Sequence, residues 1–201
     1  INYPCMFTGI IEAFGKVISL DPENENLHIT LECPFTNELK IDQSLAHNGV
    51  CLTVVSINGN AYVVTAVAET LRKTNLGLLN AGDLVNLERS MQMNGRIDGH
   101  LVQGHVDTVA VCTSKEDQQG SWLFRFEYDD ENNLITVEKG SICVNGVSLT
   151  VVDSGPGSFS VAIIPYTYEN TNFRDLKKGS VVNLEFDILG KYVAKYLALG
   201  K

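Results

Sequence analysis

Apolar residues alternate with polar ones, or run together in Val, Ile and Thr, over 7–18, 27–33, 50–57, 61–67 and 84–89. A period of two marks half-buried strands, so these stretches predict β-structure. Asn58-Gly59 separates two of them and predicts a two-residue hairpin, because both turn positions of that hairpin favour a positive φ. The strand period fades around 69–79 and again at 167–176, where short helical turns are expected. The end of the chain follows another period. Tyr192, Val193, Tyr196, Leu197 and Leu199 fall mainly on helical spacings and predict an amphipathic helix. Such a helix either packs on its own domain or serves assembly.

The pattern is written twice. Asn48-Gly49-Val50-Cys51-Leu52-Thr53-Val54-Val55 recurs as Asn145-Gly146-Val147-Ser148-Leu149-Thr150-Val151-Val152, 97 residues on. Over 48–88 against 145–185 the halves share 17 of 41 positions without a gap, which establishes a duplication. Ahead of that block, Gly9-Ile10-Ile11-Glu12 lies over Gly104-His105-Val106-Asp107. The first hairpin turn has its counterpart in Ser154-Gly155-Pro156-Gly157-Ser158. Five or six short strands per half suit a small closed barrel, which leaves no open sheet edge. The expected architecture is all-β, with two tandem homologous six-stranded Greek-key β-barrels over 6–97 and 98–188. A C-terminal helix is expected over 189–201, and the boundary between barrels in the turn-rich stretch 94–99.

Charge and composition remove several classes of function. The net charge is −9 and the longest basic runs are the pairs Arg72-Lys73 and Lys177-Lys178, so no stripe exists for nucleic acid. No apolar run approaches the ~20 residues that span a bilayer. The first residues lack the basic and apolar regions of a secretory signal, and Met6 is a candidate natural start. Five cysteines are an odd number without metal-ligand spacing, which predicts reduced thiols in a soluble, cytoplasmic protein and no metal site.

Two related pockets in one chain suggest two copies of the same or very similar ligands. Presenting two identical molecules in opposed orientations is what a reaction between them needs. Cys51 and Ser148 are repeat equivalents, each two residues past a glycine, and are expected to point into the barrel mouths. Thr53 and Thr150 follow on the same strand faces, and Thr70 and Thr167 form a third equivalent pair.

Met6-Phe7-Thr8-Gly9-Ile10-Ile11-Glu12, both Asn-Gly-Val-x-Leu-Thr-Val segments, Gly99-His100-Leu101-Val102-Gln103-Gly104-His105-Val106-Asp107 and Ile163-Ile164-Pro165 together resemble the alpha-chain type of riboflavin synthase. The likeness runs from Met6 to about Lys195. It implies two lumazine-binding barrels, a homotrimer held by the C-terminal helix with each ligand pair between neighbouring chains, and no metal or redox cofactor. It also implies a reaction in which two 6,7-dimethyl-8-ribityllumazine molecules give riboflavin and 5-amino-6-ribitylamino-pyrimidinedione by transfer of a four-carbon unit. Association with lumazine synthase is a further partner it suggests. The substrate's acidic 7-methyl group carries the difficult chemistry, which leaves the protein to orient two rings, exclude water and move protons.

The resemblance nominates residues individually. His105 is the leading proton carrier, its imidazole suited to neutral pH, and Cys51, Ser148 and Thr150 complete the catalytic set. Substrate contacts are expected from Phe7, Gly9, Ile10, Ile11, Ser44, Leu52, Thr53, Gly104, Val106, Lys139, Leu149 and Asp187. Two covering segments join them: Thr65-Ala66-Val67-Ala68-Glu69-Thr70 and Ile164-Pro165-Tyr166-Thr167-Tyr168-Glu169. Asp187 has Ser90 as its first-half equivalent, so the halves differ there. His47 and His100 are expected to orient backbone, His28 to lie on the surface, and Glu88 and Glu185 to tie up strand or loop donors. Two other readings stand beside the enzyme: a non-catalytic lumazine or flavin binder of the antenna type, and a purely structural twin-barrel module.

Overall fold

The computed structural model describes residues 6–129 and 134–199; residues 1–5, with Cys5, lie outside it, as do 200 and 201 at the end of the expected helix. Strands β1 (Ala13–Glu23), β2 (Asn26–Glu32), β3 (Ser44–His47), β4 (Val50–Asn58), β5 (Ala61–Ala66) and β6 (Leu84–Arg89) close into one barrel in the order β1-β2-β5-β4-β3-β6. The second repeats it with β7 (Thr108–Asp117), β8 (Trp122–Tyr128), β9 (Ser141–Val144), β10 (Val147–Gly155), β11 (Ser158–Ile163) and β12 (Val181–Phe186). All pairings are antiparallel, so the two-barrel Greek-key expectation holds.

Alternation decides which side chains enter each barrel. In β4, Val50, Leu52 and Val54 are buried while Cys51, Thr53 and Val55 face outward. Tyr62, Val64 and Ala66 of β5 meet the first set inside. The second core is more aromatic, with Phe124, Phe126, Phe159 and Phe173 fully enclosed. Helices α1 (Ala68–Lys73) and α2 (Pro165–Asn170), each followed by a 3-10 turn, fill the stretches where the strand period fades.

Three expectations shift. The first strand starts at Ala13, not Phe7; residues 7–11 cross to the other barrel, where Phe7 forms a lone bridge with Val102. The hairpin loop is Gly59-Asn60, because Asn58 still pairs with Ala61. β3 and β9, four residues each, are too short to show a period of their own.

The barrels dock through polar groups as well as apolar ones. Phe7, Ala46, Val102 and Cys143 form a small buried cluster between them. Beside it lie Asn48, Asn75, Asn86 and their repeat equivalents Asn145, Asn172 and Asn183, all buried. The Asn86 amide donates to the Asn145 carbonyl at 2.9 Å, and the Asn183 amide donates to the Asn48 carbonyl at 2.9 Å. These two bonds are equivalents of one another, so the barrels are related by a pseudo-two-fold axis. Buried amides that satisfy each other across an interface fix its register.

Helix α3 (Ile188–Leu199) leaves the body of the molecule. The Asp187 carboxylate accepts from the Leu189 N–H at its start, and Lys191 pairs with Asp107 at 2.8 Å. Beyond that turn Tyr192, Val193, Tyr196, Leu197 and Leu199 are exposed, Tyr196 to 78%. The helix does not pack along its own barrel. Among the described residues no helix is long and apolar enough to cross a membrane.

Candidate active site

Each barrel presents an outer-face patch rather than an open mouth. Cys51 and Thr53 on β4, and Ser148 and Thr150 on β10, share a face as expected, but the face is the outer one. Among the described residues the barrel interiors are filled with aliphatic and aromatic side chains. The same parity sends Leu52 and Leu149 inward, Leu52 into the first core and Leu149 against the second, so their side chains are withdrawn from the site. Ala66 and Phe7 are fully buried; Phe7 packs between the barrels instead of stacking on a ligand.

The glycine loops are exchanged between halves. The Gly9 carbonyl accepts from the Ser148 N–H at 2.8 Å, and the Gly104 carbonyl accepts from the Cys51 N–H at 2.9 Å. A side chain at either glycine would come within 2.6 Å of the facing Cβ, and both glycines hold φ at +76°. Each patch is therefore built from one barrel's strand and the other half's loop. His105, next to Gly104, accompanies Cys51, whereas Ile10 and Ile11 follow Gly9 at Ser148. The residues expected to be catalytic are thus divided: His105 stands with Cys51, and Ser148 and Thr150 belong to the other patch.

Two buried carboxylates hold these loops. Glu88 accepts from the Thr8 N–H at 2.6 Å, the Thr8 hydroxyl at 2.7 Å and the Gly9 N–H at 2.9 Å. Glu185 accepts from the Gln103 N–H at 2.6 Å and the His105 N–H at 2.8 Å. Tying up loop donors is what was expected of both. Burial pushes each carboxyl up, Glu185 to about 7, against the opposite pull of these N–H donors.

His100 is the residue that sequence reasoning undervalued. Its Nδ1 lies 2.7 Å from the Ser148 hydroxyl, so it contacts a site side chain rather than merely orienting backbone. Burial lowers its pKa and favours the neutral imidazole, with the Asp187 carboxylate pulling the other way. A neutral imidazole on a hydroxyl is a proton-transfer pair. The available signal was its place in the Gly99-to-Asp107 segment, five residues before His105. His47, by contrast, is structural: fully buried between the Leu45 carbonyl and the Tyr62 hydroxyl, with its pKa lowered to about 4 by burial.

The remaining nominees are scattered around the patches. Ser44 pairs with Thr53, and Ser141 with Thr150, each on the strand beside its patch. Lys139 occupies an exposed left-handed turn, with φ at 65°, whose N–H donates to the Val151 carbonyl next to Thr150. Val67, Ile164, Pro165 and Tyr166 are exposed, and Thr65, Ala68, Val106, Thr70 and Thr167 are half-buried. Glu69 pairs with Lys73 on the surface. Tyr168 stacks on Trp122 at 3.7 Å under Lys115, which commits its ring to holding α2, and Glu169 is exposed beyond it. Asp187 caps α3 while acting on His100, which joins the second patch to the helix. A cavity of about 990 Å³ contains neither pair. It is lined largely by polar and charged groups, including Glu12, Arg89 and Arg96, along the segment that joins the barrels.

A family profile described as the lumazine binding domain matches residues 8–90 and again 103–187. Riboflavin synthase of Actinobacillus pleuropneumoniae is 41% identical over 193 residues, covering 96% of this chain and 90% of that protein. The chain belongs to the riboflavin synthase family. Members from Bacillus subtilis and Saccharomyces cerevisiae are 38% and 36% identical, and each match covers 96% of this chain. Those matches cover 90% and 87% of the two relatives. In fold, the chain also matches LumP complexed with riboflavin, at a TM-score of 0.83 and 21% identity over 90% of this chain and 98% of that one.

Proposed function

We propose that this chain is a riboflavin synthase that converts two 6,7-dimethyl-8-ribityllumazine molecules into riboflavin and 5-amino-6-ribitylamino-pyrimidinedione. The observation that carries the proposal is the pair of complete outer-face patches. Each joins a thiol or hydroxyl to a threonine and to a loop from the other half, and the two are related by an internal two-fold axis. One ring on each patch supplies the two like molecules that the reaction consumes. In the second patch, His100 and Ser148 take the proton from the acidic methyl group of one ring; His105, beside Cys51, serves the other ring. Orientation supplies much of the rate, since the substrate's own ring stabilises the carbanion.

Neither patch is enclosed within one chain. A neighbouring subunit is needed to bring a first patch against a second, and the apolar flank of α3 is the element for that assembly. A homotrimer, a cytoplasmic setting and association with lumazine synthase belong to the same proposal. The test is incubation of the protein with 6,7-dimethyl-8-ribityllumazine alone while riboflavin absorbance is followed. Riboflavin forming at half the rate of lumazine loss is the expected result. Tight binding without conversion would make the chain an antenna-type binder and reduce the catalytic residues to ligand contacts.

A further inference from the structure

The two patches begin alike and end differently. On barrel one, Ser44 pairs with Thr53, and His28 pairs with Thr65. One step along from the Val54–Val64 pair, the register sets Thr53 beside Thr65. Ser44, Thr53, Thr65 and His28 therefore form one row across β3, β4, β5 and β2, on the outer face that carries Cys51. On barrel two the same row reads Ser141, Thr150, Ala162 and Leu123, with Ser141 paired to Thr150 and Ala162 to Leu123. A hydroxyl and an imidazole on one barrel stand where the other has two apolar side chains.

The row on barrel one ends in a hydrogen-bonded chain. His28 Nδ1 lies 2.8 Å from the Thr65 hydroxyl, and His28 Nε2 lies 2.9 Å from a Glu23 carboxylate oxygen. A carboxylate only accepts, so it holds the ring proton on Nε2. When the ring carries that one proton, Nδ1 is left to accept the Thr65 O–H, and the lone pairs of the Thr65 oxygen remain for a group lying on the patch. This is the logic by which an outer residue fixes the hydrogen-bonding sense of an inner one.

We propose that His28, held by Glu23, is a positioning residue that makes Thr65 a fixed hydrogen-bond acceptor on barrel one alone. The acceptor selects a ligand orientation that presents an N–H or O–H donor at this end of the row, which barrel two does not select. This rests on the reading of the patches as lumazine and flavin sites, and it gives a physical reason for two repeat-related sites to hold like rings in unlike ways. Expecting His28 to be plain surface missed its place in this chain; its side chain is only 32% exposed.

The test is titration of the full-length protein with riboflavin, read by flavin fluorescence and calorimetry, for wild type, His28→Leu, Thr65→Ala and the double variant. Wild type is expected to show two classes of site per chain. His28→Leu, which installs the barrel-two residue, is expected to weaken one class about tenfold, the worth of one hydrogen bond, and to leave the other unchanged. Thr65→Ala should do the same, and the double variant should lose no more than either single one, because His28 acts through Thr65. Thr65→Ser, which keeps the hydroxyl, should bind as wild type. Lumiflavin, which lacks the ribityl chain, separates the donors: an effect that persists places the ring N–H on Thr65, and one that vanishes places a ribityl hydroxyl there. Two intact classes that ignore His28→Leu, equal weakening of both, or additive losses in the double variant would overturn the inference alone. A wild-type protein that binds no riboflavin would overturn the proposed function together with it.

Discussion

Gly99→Ala offers a sharp perturbation of the second patch. Gly99 passes between the Thr8 carbonyl and the Ser148 side chain. A methyl group there would overlap the Thr8 oxygen and sit 2.8 Å from Ser148 Cβ and 2.9 Å from its hydroxyl. Carbon atoms rest about 3.5–4.0 Å apart, so something must move by roughly half an ångström or more. Thr8 is clamped by Glu88, and Ser148 lies within a strand ladder. The segment 92–99 is exposed and gives way instead. His100 moves with it, and its 2.7 Å contact with Ser148 is lost. Overpacking costs about 1–3 kcal/mol where nothing yields, and less beside an exposed segment. Misplacing a reacting group by about 1 Å costs on the order of a hundredfold in rate. The expected outcome is a turnover near one-hundredth of wild type with a melting temperature lower by only a few degrees. Gly77→Ala, whose added carbon meets nothing closer than 3.5 Å, is the control. Steady-state riboflavin formation and a thermal melt decide the matter: wild-type turnover in Gly99→Ala would refute the role given to His100.

The other predictions concern docking, protons and assembly. Asn86→Ala strips three hydrogen bonds from buried groups of the second half, the Asn145 carbonyl among them. It should cost about 3–5 kcal/mol and let the barrels melt in separate calorimetric steps; one unshifted transition would contradict the docking role. Glu185 has a folded pKa of about 7 against an ordinary 4.5, so the folded state holds an extra proton between those values. Its contribution to stability is full below about 4.5 and is lost as pH rises through about 7; Glu185→Gln should remove that decline from denaturation curves measured across the window. His100→Gln and Ser148→Ala should each lower turnover more than binding, and together cost little more than either alone, as a coupled pair does. Tyr196→Ser with Leu197→Ser should turn the assembly monomeric in sedimentation and abolish turnover while leaving the barrels folded.

The fold was open to reading because a repeat converts single-sequence noise into agreement. The block 48–88 appeared again at 145–185, and closure into barrels followed from strand number. The direction of the strand faces was not open in the same way. Alternation shows that Cys51 and Thr53 share a side, but both a lined barrel mouth and an outer patch satisfy a period of two. Only the filling of the interior by Tyr62, Leu45 and Ile29 decides between them. The strongest repeat identities have a structural cause. Asn48, Asn75 and Asn86 match their equivalents because an interface across a two-fold axis needs the same groups on both sides. Those identities record docking. The proposed function sits partly where the halves differ, at Cys51 against Ser148, Ile10 against His105 and Thr65 against Ala162. The contact of His100 with Ser148 was not legible because its partner lies 48 residues away, a separation that spacing alone does not bridge.

In the proposed enzyme each ligand lies on the outer face of a barrel, under a loop lent by the other half. Crystals of the full-length protein grown with 6,7-dimethyl-8-ribityllumazine or riboflavin test it most directly. Two ligands per chain are expected, one ring over Cys51 and Thr53 near His105 and one over Ser148 and Thr150 near His100. Density inside a barrel, or only in the charged cavity beside Arg89 and Arg96, would contradict it.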